Sequence, residues 1–175
     1  MKPLLTLARN TLEAHFQNKK PEIPEQIKQK YSKKQACFVT LTKNGQLRGC
    51  IGSLQATQEL YLDVIENTTN AAFHDPRFSP LTKQELPNIK IEISLLSVPK
   101  KLPFQNEQDL LKKINNRMGL ILKKGSFRST FLPQVWQELP NKVEFLKHLS
   151  MKAGLPPDAW KTAEFSYYAV KKIKE

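Results

Sequence analysis

The stretch ACFVTLTKNGQLRGCIG, residues 36–52, decides the fold. Ala36 to Thr42 is rich in β-formers, and Asn44-Gly45 follows directly. A type I′ turn needs positive φ at both central residues, which Asn and Gly accept most readily. The pair therefore predicts a two-residue hairpin loop with a return strand from Leu47 to Gly52. In that register Lys43 faces Gln46, Leu41 faces Arg48, Val39 faces Cys50 and Cys37 faces Gly52. Side chains alternate faces along a strand. Cys37, Val39, Leu41, Arg48 and Cys50 are expected on one face, with Phe38, Thr40, Leu47 and Ile51 on the other. The cysteines become diagonal neighbours at about 7–8 Å, slightly long for an unstrained disulfide. Free thiols are expected.

On the N-terminal side, Leu4, Leu5, Ala8, Leu12 and Phe16 recur at helical spacing. A polar stretch with Pro21 and Pro24 leads to a short helical turn near Glu25 to Lys30. Beyond the hairpin, Leu60, Val64, Thr68, Ala71 and Ala72 line one side of a long helix that must end before Pro76. Thr82 with Glu85 forms a capping box inside a Leu81–Leu86 staple, which predicts a short helix that starts at Thr82 and stops by Pro87. Ile89, Ile91, Ile93 and Leu95 alternate with polar residues and predict a half-buried strand.

Asn106 is placed to cap a helix through Asn115. Gly119 to Leu122 and Phe127 to Leu132 read as strands turning around Lys124-Gly125. Pro133 suits the first turn of a helix through Leu139. Asn141 with Glu144 opens another, closed at Gly154. Phe165, Tyr167 and Ala169 alternate in a final strand. Strands in hairpins mixed with helices, without a βαβ rhythm, predict an α+β fold: a mainly antiparallel sheet flanked by helices, with a smaller subdomain.

The 175 residues fit a single domain, or a main α+β lobe with a small subdomain. No apolar run approaches the roughly 18 residues needed to span a bilayer. Arg9, Glu13 and His15 interrupt the N-terminal stretch where a secretory signal needs apolar residues. A cytoplasmic protein without membrane attachment is expected. Two cysteines and three histidines carry no metal-ligand spacing, so neither a metal site nor a cofactor is implied.

The net charge of +12 would attract polyanions such as nucleic acid. However, 23 of the 28 basic residues are lysines scattered from Lys2 to Lys174, which is the pattern of a solvated surface. The tail Lys171-Lys172-Ile173-Lys174 is too brief for a binding arm. Phe73, Phe78, Phe127 and Phe131 are candidate stacking groups for bases, though such aromatics more often serve a core.

Two segments stand out chemically. In Leu47 to Gly52, Gly49 and Gly52 weaken a short strand and mark a bulge or a close backbone approach. Cys50 sits between them, with Arg48 two residues earlier. A nearby guanidinium stabilises a thiolate, which makes Cys50 a candidate nucleophile; the competing reading is a small buried hydrophobe. In the second segment Asp75 and Pro76 end the long helix, and Arg77 can pair with a carboxylate or stack on an aromatic ring; the competing reading is a rigid helix-terminating turn closed by an Asp75–Arg77 contact. His74 is a weak candidate base for Cys50, since a histidine at a helix C-terminus is common on structural grounds. Only five arginines occur, and Arg48 and Arg77 lie in these two unusual segments. A planar fork there serves a structural pair as well as a ligand.

LRGCIG (residues 47–52) resembles the signature of the AMMECR-one domain family, also called AmmeMemoRadiSam system protein A. The likeness continues through AFHDPRFSPLT (72–82), ELPNIKIEISLL (85–96), MGLILKKG (118–125), LPQV (132–135) and KAGLPPDAW (152–160). It implies a compact α+β domain with a mostly antiparallel sheet and a smaller subdomain. It also implies partnership with Memo-like and radical S-adenosylmethionine proteins. The family blocks map onto Arg48, Gly49, Cys50 and Gly52, and onto Asp75, Pro76, Arg77 and Phe78, without a catalytic assignment. The chain departs from the family pattern at His74, at Ser150, where many relatives carry cysteine, and at Arg128 to Thr130.

Overall fold

The computed structural model describes residues 2–175. In chain order it contains α1 (Lys2–Phe16), α2 (Glu25–Lys30), β1 (Cys37–Lys43), β2 (Gln46–Gly52), α3 (Leu60–Phe73), β3 (Ile89–Leu96) and β4 (Lys100–Lys101). Then follow α4 (Glu107–Lys113), β5 (Gly119–Lys124), β6 (Phe127–Phe131), α5 (Lys142–Lys152), β7 (Glu164–Tyr168) and β8 (Val170–Lys174). The chain divides into two compact units. One holds the residues up to Leu96 together with Lys171–Glu175, and the other holds Ser97–Val170. The fold is α+β with antiparallel pairing.

The first unit is built on a four-stranded sheet in the order β2-β1-β3-β8. Cys37, Val39, Leu41, Ile89, Ile91 and Ile93 point to one face, where Leu4, Leu5, Ala8 and Leu12 of α1 and Leu60, Val64, Ala71 and Ala72 of α3 complete the core. The expected periodicities of both helices produce this contact: each presents one apolar stripe, and the sheet presents one apolar face. The turn at Asn44 (φ 51°) and Gly45 (φ 78°) has the left-handed geometry that the dipeptide predicts.

The hairpin register departs from the expected one. Lys43 does face Gln46 and Thr42 faces Leu47, but Leu41 then faces Gly49, leaving Arg48 as a bulged residue. From there Thr40 faces Cys50, Val39 faces Ile51 and Phe38 faces Gly52. One extra residue flips every later side chain of β2 to the opposite face. Cys50 therefore shares a face with Thr40 and Phe38, while Cys37 lies on the core face. Both cysteines are free.

Three other elements differ from expectation. Thr82 and Glu85 form their capping contact, with Thr82 N–H donating to Glu85 Oε2 at 3.0 Å. The chain nevertheless tightens into a 3₁₀ turn over Leu86–Asn88, with Pro87 inside it rather than beyond it. Pro133 likewise opens a 3₁₀ turn, Pro133–Gln137, instead of an α-helix. The final strand does not run through Ala169: β7 ends at Tyr168 and the basic tail forms a further strand, β8, whose Lys172 and Lys174 pair with Glu92 on β3.

The second unit contains a sheet in the order β4-β7-β5-β6. Leu120, Leu122 and Phe165 pack against Leu110 of α4, Phe145, Leu146 and Leu149 of α5, and the two tryptophans. Trp136 stacks on Phe145 with ring centroids 3.7 Å apart, and its Nε1–H donates to Met118 O. Asn106 and Asn141 cap α4 and α5 as their sequence positions predict.

Candidate functional site

The outer face of the first sheet carries the segments singled out by sequence. β2 is an edge strand, so one side of its backbone lacks a neighbouring strand. At Cys50 the Asp-Pro-Arg turn takes that neighbour's place. Cys50 N–H donates to Asp75 Oδ2 at 2.8 Å, and Cys50 C=O accepts from Arg77 Nη2 at 3.2 Å. Asp75 and Arg77 are joined by a fork: Nε donates to Oδ1 at 3.0 Å and Nη2 to Oδ2 at 2.8 Å. Arg77 N–H adds a further bond to Oδ1 at 3.1 Å. The Asp75 side chain is 2% exposed, whereas that of Arg77 is 54% exposed and lies over the Phe78 ring.

These donors, led by the Arg77 side chain, hold the Asp75 carboxyl well below the usual carboxylate range despite its burial. Reciprocally, the hydrogen bond to Asp75 holds Arg77 above its ordinary value. A planar guanidinium is required here: a lysine cannot satisfy both carboxylate oxygens and a carbonyl at once. The motif thus seals a sheet edge and holds an exposed cation against the main chain of the half-buried cysteine.

The Cys50 Sγ lies 3.2 Å from Thr40 Oγ1. Thr40 in turn sits opposite Glu92 in the β1–β3 register, so thiol, hydroxyl and carboxylate occupy one line across three strands. Against the burial that would raise it, hydrogen bonds from Lys174 and Lys172 hold the Glu92 carboxyl below its ordinary value.

Arg48 is not the cysteine's partner. Its bulged position directs the guanidinium to Glu85, with Nε to Oε1 and Nη2 to Oε2 both at 3.0 Å. Lys43 Nζ and Thr82 N–H complete the carboxylate's shell, also at 3.0 Å. The Arg48 contact, more than any other, holds Glu85 far below the usual range. At 14% and 16% exposure the pair is partly buried, and it clamps the bulge to the segment before β3.

Gly49 marks a close approach. A Cβ there would lie 2.0 Å from the Ala71 carbonyl oxygen of α3, so only glycine lets that helix reach the strand. Gly52 faces Phe38, and a Cβ there would meet its ring at 2.2 Å. His74 caps the end of α3, where its Nδ1 engages Asn70 Oδ1 at 3.1 Å. The structure thus brings Cys50, Asp75 and Arg77 together, and joins Arg48 to Glu85 instead.

Sequence reasoning missed a buried polar knot on the inner face. Asp63, 1% exposed, accepts from Cys37 N–H at 2.8 Å, Ser53 Oγ at 2.7 Å and Asn67 Nδ2 at 3.0 Å. Asn67 also donates to Cys37 O at 3.2 Å. Burial first, and then the Asp63 carboxylate, push the Cys37 thiol well above its ordinary range. The signal was present: Asp63 and Asn67 fall within the apolar stripe of α3, four residues apart. Of the candidate stacking aromatics, Phe73 stacks on His15 at 3.8 Å and Phe131 packs edge-on against Phe145. Phe127 is exposed. Among the described residues no group of three or more His, Cys, Asp or Glu is placed to hold a metal ion. Nor is any helix long and apolar enough to cross a membrane.

Two antiparallel sheets in two units, with an edge cysteine held by an Asp-Pro-Arg turn, define the class of protein. The sequence model of the AMMECR1 family matches residues 5–173, and the chain belongs to that family. It is 40% identical to Protein NEQ441 of Nanoarchaeum equitans, over 90% of this chain and 89% of that protein. It is 38% identical to a protein of Aquifex aeolicus, over 96% and 88% respectively. The crystal structure of an uncharacterised protein from Pyrococcus horikoshii, PH0010, superimposes with a TM-score of 0.85 at 32% identity, covering 98% of this chain and 89% of that one.

Proposed function

We propose that Cys50 and Arg77 form a thiol site for an anionic group, within an enzyme or enzyme subunit that works with Memo-like and radical S-adenosylmethionine proteins. One observation carries the thiol reading. A buried Asp75 fixes an exposed guanidinium against the main chain of the half-buried Cys50. Arg77 Nη1 is left for a ligand, and the thiol shares its outward face with Thr40. A cation held beside a cysteine attracts an anionic reactant. The partner proteins rest on the family likeness.

The test compares the rates at which anionic iodoacetate and neutral iodoacetamide alkylate Cys50, in a Cys37→Ser background, with and without Arg77→Ala. A cation that gathers anions at the thiol favours iodoacetate, so Arg77→Ala should lower the iodoacetate-to-iodoacetamide rate ratio about threefold or more. A ratio unchanged in the variant would sink the thiol-site reading. Arg48→Ala serves as the control, since its guanidinium belongs to Glu85.

A specific observation favours a second reading, a non-catalytic protein-binding module. Both motif arginines are engaged in intramolecular forks with carboxylates, which a purely structural role explains. Retention of an inert Cys50 in a tight complex with a partner protein would support this reading over the first.

A further inference from the structure

The outward face of the second sheet holds a cavity of about 500 Å³, lined by residues of β4 to β7 and the adjoining segments. Its size suits a small organic ligand, for which pockets of about 300–1,000 Å³ are usual. Its apolar lining is Leu102, Phe104, Ile121 and Phe165; of these Ile121 shares the cations' face, whereas Phe165 lies opposite Leu122 and turns its ring into the core, edge-on to Phe104. The rim carries Lys101, Lys123 and Arg128, with Glu164 as its one carboxylate. Among the described residues these three cations form no ion pair, whereas Arg9, Arg48 and Arg77 each hold a carboxylate.

The register explains the convergence. Ile121 faces Ser166 and Thr130, Lys123 faces Glu164 and Arg128, and Lys101 faces Ser166. Residues directly opposite share a face, so the three cations rise from one surface. Lys123 opposite Arg128 places like charges across a ladder, an arrangement that destabilises a bare sheet. Protection of sheet edges explains charge on β4 and β6. It does not explain Lys123, because β5 is an interior strand.

We infer that this cavity binds a small organic anion, an apolar body carrying a phosphate-like dianion, with Arg128 and Lys123 on the anionic head and Ile121 and Phe104 against the body. Arg128 presents the planar fork that suits phosphate oxygens, and Lys101 and Lys123 supply point charges. Three cations against one carboxylate leave a local excess that a dianion neutralises. The inference is independent of the thiol site, which belongs to the other unit.

1-Naphthyl phosphate is the probe, followed by amide chemical shifts of the full chain at about 50 mM salt, where surface electrostatics are not fully screened. Saturable shifts at Ile121, Lys123, Arg128 and Ser166 are expected. Inorganic phosphate and neutral 1-naphthol should each bind at least tenfold more weakly, because each lacks one half of the recognition. Arg128→Gln and Lys123→Gln should each weaken the probe about tenfold or more while leaving the remaining spectrum intact. No saturable shift at these residues would overturn the inference, as would equal binding by inorganic phosphate. So would affinity unchanged in both variants. A single-stranded oligonucleotide that occupies the same residues far more tightly than the probe would replace the small anion with a polyanion.

Discussion

Cys37 and Cys50 stand on the two strands of one hairpin, yet they face opposite sides of the same sheet. Cys37 is fully buried among Asp63, Asn67 and the apolar face of α3, where its main chain is the ligand of a polar knot. Cys50 faces outward, half-buried, with its main chain held by Asp75 and Arg77 and its sulfur beside Thr40. In both cases a carboxylate accepts the cysteine's backbone N–H. The difference lies in what surrounds that carboxylate. Asp63 is ringed by neutral donors in a core whose burial, with that carboxylate, raises the Cys37 pKa, while Asp75 is bound to an exposed cation. A single bulged residue, Arg48, separates the two environments.

The largest effect should come from removing the close approach that makes both faces work. Gly49→Ala drives a methyl group into the Ala71 carbonyl and should cost about 3 kcal/mol or more, at the upper end of overpacking effects. Urea denaturation measures it. Gly52→Ala meets Phe38 Cγ at 2.2 Å, an atom that ring rotation does not move, and the Cys37 carbonyl oxygen at 2.6 Å, and should be destabilising as well. A Gly49→Ala chain of native stability would mean that α3 and β2 are not packed as described.

The two thiols themselves offer the next contrast. In the native chain Cys50 should alkylate at least about a hundredfold faster than Cys37, since a buried thiol waits for local opening. Mass spectrometry of the labelled peptides reads the ratio, and equal labelling would erase the distinction between the faces.

Asp63→Ala should destabilise by about 2 kcal/mol, because it leaves the buried Cys37 N–H without its acceptor. It should also bring Cys37 labelling closer to that of Cys50. Asp63→Asn, which keeps an acceptor, should lose less.

The smallest effect concerns acid. Asp75 and Glu85 have folded-state pKa values depressed below their ordinary 3.8 and 4.5. Their contribution is complete above those values and is lost as pH falls through them toward the folded-state pKa, because the unfolded chain takes up protons first. Arg48→Ala should therefore flatten the fall in stability below about pH 4.5 and cost about 1 kcal/mol at neutral pH. An unchanged acid limb in urea titrations would show that the Arg48–Glu85 fork contributes nothing.

The hairpin, the amphipathic faces of α1 and α3, and the Asn caps of α4 and α5 were all legible because each is a local matter. Positive φ, a 3.6-residue period and a capping side chain act over a few neighbours. LRGCIG and the Asp-Pro-Arg segment were each legible as unusual, from the rarity of arginine and the paired glycines, and the Asp75–Arg77 contact as the ordinary closure of a helix-ending turn. That the two segments meet at Cys50, and that Arg48 holds Glu85, was not. Alternation from the turn placed Arg48 beside Cys50, and a bulge cannot be located by counting. Glu85 was visible only as a helix cap, because its contact with Arg48 joins positions 37 residues apart.

The last stretch of the chain shows the same boundary. Alternation identified a strand at Phe165 and Tyr167, but nothing local indicated that the chain leaves one sheet near Ala169 and enters another as β8. By itself the sequence determined the α+β class, its turns and caps, and the residues worth attention. Only the tertiary structure decided which face each cysteine takes, which carboxylate holds Arg48, and which lysines remain unpaired. Those outcomes depend on strand register and on long-range pairing, where a shift of one residue reverses a face without altering any local preference.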